Sequence, residues 1–404
     1  MTPKITIVGG GIVGFATAYH ILKLKPNWDV SLVEKEAEAA FHQTGNNSGV
    51  IHSGIYYKPG SLKALNCSRG YQMLLDFCSE HQIPYELCGK IIVATTKEEL
   101  PALEKIYERG IENGLEGLCY LDLKQMQEIE PNVQGVKGIR VPQTGIIDYK
   151  VVTQKLHDAF VNMGGKVYFN QKVQGINSSK TGVELVLNTG SIQADWAINC
   201  AGLYCDKIMK MEGKLNADVR IIPFRGEYYR LKEQSKHKVK HLIYPVPDPA
   251  FPFLGVHFTR RIDGIIEAGP NAVLAYQREG YKKSQVRIKE LFESLFWPGF
   301  IKVALKYWKT GIGELYRSHS KKAFTQALQK LIPDIQVTDL EEGGAGVRAQ
   351  ACLIDGTLPD DFIIKESAQM IHVLNAPSPA ATSSLSIGLT IAEKLVQKVN
   401  PSHS

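Results

Sequence analysis

Three glycines and one carboxylate carry the first chemical signal in the chain. Gly9, Gly11 and Gly14 fit G-x-G-x-x-G, and Glu34 follows Gly14 by twenty residues. In such a turn Gly9 makes the tight bend and Gly11 lets a pyrophosphate approach the backbone. Gly14 lets a helix pack closely on a strand. The free N–H groups of a helix N-terminus suit that pyrophosphate. A carboxylate at position 34 accepts hydrogen bonds from ribose hydroxyls and repels a 2′-phosphate, which argues against NADP. FAD and NAD use the same turn, so these residues leave that choice open.

The elements that must hold these groups can be read around them. Lys4 to Val8 is a short apolar strand. Ile12, Phe15, Ala16, Tyr19 and Leu22 recur at helical spacing, and Pro26 and Asn27 end the helix. Val30, Leu32 and Val33 build a second strand. Farther on, 77–114 alternates helix, strand and helix signals. Residues 148–202 read as helix, strand, hairpin and strand, the last (Trp196 to Asn199) running into Cys200-Ala201-Gly202. Residues 221–270 are strand-rich and interrupted by Pro245, Pro247, Pro249 and Pro252. Residues 370–399 read as strand, polar loop and helix.

Composition bounds the function classes. At 404 residues, 44% hydrophobic and 22% charged, the chain is globular and long enough for two domains. Seven cysteines, an odd number without a C-x-x-C, argue against a disulfide framework or zinc site and for a reducing compartment. No cleavable signal pattern opens the chain, and no apolar run approaches the roughly 20 residues that span a bilayer. The expectation is a cytoplasmic protein, soluble or peripheral on the inner face of the membrane, with no metal site. The net charge of +6 is uneven: residues 281–330 hold eleven Lys or Arg against three Glu. This basic segment, with Trp297, Tyr307 and Trp308, reads as an interfacial helix pair on anionic lipid or as an insertion with a solvated basic face. No recognition module accompanies the charge, so nucleic acid is excluded as a partner.

Longer motifs now become specific. They are HQTGNNSGVIHSGIYYKPGSLKA (42–64), CGKIIVA (88–94), PFRGEYY (223–229), YPVPDPAFPFLGVHFTRRIDG (244–264), GPNAVLA (269–275), GAGVRAQ (344–350) and NAPSPAATSS (375–384). Through them the chain resembles the glycine/D-amino-acid oxidase superfamily of FAD-dependent oxidoreductases, and within it the branch acting on L-2-hydroxyglutarate. The resemblance implies an α/β fold: a Rossmann-like FAD-binding domain interleaved with a mixed-sheet α+β substrate domain. The expected boundaries are 1–80, 145–215 and 340–404 for the FAD domain. The substrate domain takes 81–144 and 216–339, including the basic helical segment 281–330.

The implied reaction is oxidation of L-2-hydroxyglutarate to 2-oxoglutarate by hydride transfer to flavin N5. Electrons then pass to a quinone, oxygen or an electron-transfer protein. Alternatives are another 2-hydroxy acid, an amino acid or glycerol 3-phosphate as substrate, or a flavin-binding sensor without turnover. Such a reaction needs a proton acceptor for the hydroxyl and a held carboxylate. His52 and His257 are the candidate bases, with His42 expected to help fold the cofactor loop. A covalent flavin link at His52 is the minor alternative to non-covalent FAD. Arg348, Arg225, Arg260 and Arg261 are the candidate carboxylate forks, Arg348 the most favoured by the resemblance. Tyr56 and Tyr57 are expected toward the substrate. FAD contacts are expected at Gly9, Gly11, Gly14, Glu34, Thr44, Asn46, Asn47, Ser48, Gly49, Val173, Ala201 and Gly202. More are expected from Pro379, Ala380, Ala381, Thr382 and Ser383. Thr382, Ser383 and Ser384 are expected to cap a helix whose positive end stabilises reduced flavin. The stretch 44–57 is therefore expected to be a cofactor contact and not a strand.

Overall fold

The structure is a computed structural model that describes residues 2–213, 218–248 and 254–399. Pro249 and Pro252 lie outside the described residues. The fold is α/β, built from two large sheets and two small ones.

The first sheet has six strands. Lys4–Val8 lies in its middle, parallel to Asp29–Val33 on one side and to Trp196–Asn199 on the other. Met370–Asn375 extends the sheet beyond Trp196–Asn199, and Lys166–Tyr168 extends it beyond Asp29–Val33, both parallel. Only the edge strand Ile363–Glu366 runs antiparallel. Chain connections therefore leave Lys4–Val8 toward one edge and return on the other. That is a topological switch point, and a crevice opens at the carboxyl end of the strand.

The helix Ile12–Leu24 follows directly and is buried nearly all round, from Ile12 to Leu22. It lies between the helices Tyr149–Asn162 and Ser384–Val399, as an apolar helix must. Contact is close enough that a Cβ on Gly388 would lie 2.5 Å from the Ala16 backbone.

A three-stranded meander, Val173–Ser178, Val183–Leu187 and Gly190–Ala194, follows the strand Lys166–Tyr168. The second large sheet has nine strands. Its spine is the antiparallel pair Val219–Leu231 and Leu340–Leu353, which runs from Val219↔Leu353 to Leu231↔Leu340 with one register shift between Glu227 and Tyr229. Leu340–Leu353, just past the expected boundary at 340, is thus a strand of this nine-stranded sheet. Long-range pairing decided it, and no local pattern marks that.

A correction concerns the stretch 44–57. Val50 and Ile51 do form a short strand, pairing with Ile146 and Gly145. They are buried apolar residues between two polar loops, so overall composition hid them.

The basic segment forms three helices, Ile288–Leu295, Pro298–His319 (bent at Tyr307) and Lys321–Leu328. Phe292, Ile301, Leu305, Trp308, Ile312 and Tyr316 are exposed on the first two, and Phe296 is exposed between them. Among the described residues no helix is long and apolar enough to cross a membrane.

Candidate functional site

A cavity of about 1300 Å³ runs between the two large sheets, from Gly9 at one end to Arg348 and His257 at the other. Its walls include Gly9, Gly11, Glu34, Thr44, Asn47, Ser48, Val173, Ala201, Gly202, Pro379, Ala380 and Ala381.

At the glycine end the backbone does most of the work. Gly9 has φ +115°, and a Cβ there would lie 2.5 Å from the Cys200 carbonyl oxygen. A Cβ on Gly14 would lie 2.0 Å from the Gly9 carbonyl oxygen, so Gly14 shapes the turn from behind without lining the cavity. Glu34 accepts the Gly10 N–H at 2.6 Å and the Glu36 N–H at 2.8 Å, which fixes its carboxylate on the cavity wall.

The loop 41–49 folds on its own side chains. Thr44 Oγ1 accepts the Ile12 N–H at 3.1 Å, taking one of the helix N-terminal donors. Asn46 donates to the Phe41 and His42 carbonyls, and Asn47 donates to the Thr44 carbonyl while accepting the Gly49 N–H at 2.8 Å. These amides were expected to donate to the cofactor; they spend their donors on the loop, as Asn in turns commonly does. Gly49, at φ +69°, stands behind the wall, where a Cβ would meet the Ile147 carbonyl oxygen at 2.6 Å.

The C-terminal loop also departs from expectation. Pro379, Ala380 and Ala381 reach the cavity, whereas Thr382 and Ser383 do not. The Thr382 hydroxyl does not cap the following helix. It accepts the His52 N–H at 3.1 Å and lies 2.8 Å from the Tyr149 hydroxyl, which itself donates to the Val50 carbonyl. This knot joins chain segments hundreds of residues apart and sets the backbone at His52.

Strand parity decides the far end. Phe224, Gly226 and Tyr228 of Val219–Leu231 line the cavity, as do Gly346 and Arg348 beside them. Phe224 pairs with Arg348 and Gly226 with Gly346, so Val219–Leu231 alternates toward the cavity, while Val347, Ala349 and Gln350 border it together with Gly346 and Arg348. Arg225, one position out of phase, points the other way. It is 2% exposed and pairs with Glu227 at 2.9 Å. Arg225, expected to grip substrate, is not among the residues that line the cavity. Arg260 pairs with Glu86, and Arg261 with Glu267 at 3.1 Å; neither lines the cavity. Arg348 alone of the four opens into it. Surrounding protein desolvates its charge and lowers its pKa, with Tyr228, Asp360 and Tyr57 opposing that effect.

His52 and His257 both line this end. Burial, reinforced by Lys90, holds His52 down to about 3 and His257 down to about 4. Both are therefore neutral imidazoles at neutral pH. His257 Nδ1 lies 2.8 Å from the Gly255 carbonyl, which only accepts, so that nitrogen carries the proton. Nε2 is left with its lone pair. The ring packs on Tyr244 at a centroid distance of 4.1 Å. Neither ring nitrogen of His52 is hydrogen-bonded by a described residue. Tyr56 and Tyr57 line the cavity beside it.

Two lysines were missed by sequence reasoning. Lys90 is 3% exposed, with its ammonium over the rings of Tyr56 and Tyr244 at 4.5 and 5.0 Å. Burial lowers its pKa to about 7. Its signal was available: one charge heading the wholly buried strand Lys90–Ala94. Lys63 lines the cavity from the first turn of helix Leu62–Glu80.

At the glycine end, Glu36, His42 and Glu279 form a group with metal-ligand character. The Lys35 ammonium lies 2.5, 2.8 and 2.6 Å from them, so a protein cation already serves these carboxylates. His42 thus ties the cofactor loop to Glu279 across the cavity.

The G-x-G-x-x-G crevice, the two glycines that admit no side chain and an elongated cavity fit a dinucleotide carrying a flavin. The family model of FAD dependent oxidoreductases matches residues 4–394. An L-2-hydroxyglutarate dehydrogenase of Indibacter alkaliphilus is 60% identical, covering 96% of this chain and 98% of its own. The L-2-hydroxyglutarate dehydrogenase of Escherichia coli is 44% identical over 96% of this chain and 92% of its own. Among solved structures, FAD-bound L-alpha-glycerophosphate oxidase of Mycoplasma pneumoniae superposes with TM-score 0.78 at 23% identity. It covers 99% of this chain and 95% of its own. Glycine oxidase of Geobacillus kaustophilus superposes with TM-score 0.73 at 16% identity, covering 100% and 96%.

Proposed function

The chain belongs to the FAD-dependent oxidoreductase family and, within it, to the L-2-hydroxyglutarate dehydrogenases, and we propose that it oxidises L-2-hydroxyglutarate to 2-oxoglutarate. Bound FAD supplies the acceptor, at flavin N5, for the hydride that leaves the α-carbon. The observation that carries the reading is one cavity end that holds Arg348 together with two neutral imidazoles.

Arg348 receives the carboxylate next to the reacting carbon, since its planar fork matches that group. His257 takes the hydroxyl proton at Nε2, because its other nitrogen is committed to Gly255. His52, anchored through its backbone to Thr382, borders the same space and is the alternative acceptor. Tyr56 and Tyr57 close the site beside it. The backbone at Gly9 and Gly11, with Glu34, Ser48, Val173, Ala201, Gly202 and Pro379 to Ala381, holds the cofactor without a covalent bond.

Anaerobic mixing with L-2-hydroxyglutarate is expected to bleach the oxidised-flavin absorbance, and the D enantiomer is expected to leave it. Bleaching by an amino acid or glycerol 3-phosphate in its place would contradict the proposal. For the acceptor, the exposed apolar and basic face of helices Ile288–Leu295 and Pro298–His319 favours a quinone at an anionic membrane over oxygen. Reoxidation faster with a quinone in anionic vesicles than with oxygen is the expected result.

A further inference from the structure

A five-carbon hydroxy diacid has two carboxylates, and Arg348 accounts for one. The arginines that the sequence offered for the other turn away into ion pairs. We propose that Lys63 receives the second carboxylate, exchanging it for Asp360. This rests on the activity proposed above and assigns the residue that selects a diacid.

Lys63 and Asp360 both line the cavity, and the Lys63 ammonium lies 2.6 Å from Asp360 Oδ1. The pair is lopsided. The Lys63 side chain is 10% exposed and lies over the Tyr57 ring at 4.7 Å, while the Asp360 side chain is 89% exposed. A buried ammonium needs an anion. An exposed carboxylate gains little from the pair and returns to water at little cost. Lys63 thus keeps its need for an anion while its present partner is easily displaced.

Position supports the exchange. Asp360 and Tyr57, which contact Lys63, are also among the groups whose charge acts on Arg348. Lys63 also acts on His52. Lys63, Asp360, Arg348 and the candidate bases thus border one cavity, with Lys63 in contact with Asp360. Lys105 and Arg109 line the cavity too, but both are exposed to water on helix Leu100–Glu112 and have no comparable need. A dianionic substrate satisfies Arg348 and Lys63 together and releases Asp360. A monoacid leaves Lys63 on Asp360.

The test uses purified holoenzyme and two probes, L-2-hydroxyglutarate and its distal amide, in which the second carboxylate is neutral. Flavin reduction, KM and FAD content are read together. Lys63→Met is expected to raise KM for L-2-hydroxyglutarate by about 10- to 100-fold, the loss of one charge-assisted contact, with little change for the amide. Lys63→Arg is expected to restore most of the diacid preference. Asp360→Asn removes the competing anion and is expected to lower KM for the diacid several-fold. Equal impairment of Lys63→Met on both probes overturns the assignment while the activity stands. Wild-type enzyme left oxidised by L-2-hydroxyglutarate overturns the activity and the assignment with it. Should Lys63→Met lose its FAD, Asp360→Asn decides: a lowered KM supports the exchange, and an unchanged or raised KM overturns it.

Discussion

The two ends of the cavity are built in opposite ways. At the glycine end, consecutive residues of one turn present backbone, and side chains are excluded at Gly9 and Gly14 by contacts of 2.5 and 2.0 Å. At the far end, side chains come from strands and loops scattered between His52 and Arg348. The first end is a property of local spacing. The second depends on strand pairing: Phe224, Gly226 and Tyr228 line the cavity while Arg225, between them, does not. Chemistry that rests on backbone can be specified within a few residues. Chemistry that rests on side chains needs the whole sheet to be in register.

The largest effect that would test this contrast is at His257. His257→Asn keeps a donor at the Nδ1 position for the Gly255 carbonyl but removes the proton acceptor at Nε2, so flavin reduction should slow by about 10²- to 10⁴-fold with FAD retained. The pH dependence sharpens the point. Burial holds His257 at about 4, so the base stays unprotonated above that pH. As pH falls through about 4 the imidazole charges and cannot accept the hydroxyl proton. The acid limb of kcat/KM should therefore lie near pH 4, and an acid limb at the ordinary histidine value would show that the far end is wetter than described.

The contrast also explains what could be read in advance. G-x-G-x-x-G, the helix behind it and Glu34 are fixed by spacing within one strand–turn–helix unit, and all sit as the spacing implied. His52, His257 and Arg348 were found by resemblance, and the structure brings them to one place. Arg225 could not be separated from Arg348 by type or by its small neighbours, because facing depends on pairing partners more than a hundred residues away. Thr382 has the residue type of a helix cap, yet its hydroxyl meets Tyr149 and His52. Lys63 and Lys90 were passed over because lysine is ordinarily a surface residue.

The smallest expected effect is at Arg260. Its pair with Glu86 is partly exposed, so Arg260→Gln should cost about 0–1 kcal/mol of stability and leave KM for L-2-hydroxyglutarate unchanged. A large rise in KM there would mean that the site extends past the inward face of the nine-stranded sheet.

The most direct measurement sets Arg348→Met against Arg225→Met, comparing thermal stability with the L-2-hydroxyglutarate concentration dependence of anaerobic flavin reduction. Arg348→Met should lose about 2–5 kcal/mol of substrate affinity, with its fold intact. Arg225→Met leaves Glu227 to Asn271, Ser318 and Lys283, and should lose about 1–3 kcal/mol of stability while the surviving holoenzyme binds substrate as wild type does. The reverse pattern, with substrate affinity lost at Arg225 and stability lost at Arg348, would contradict the account.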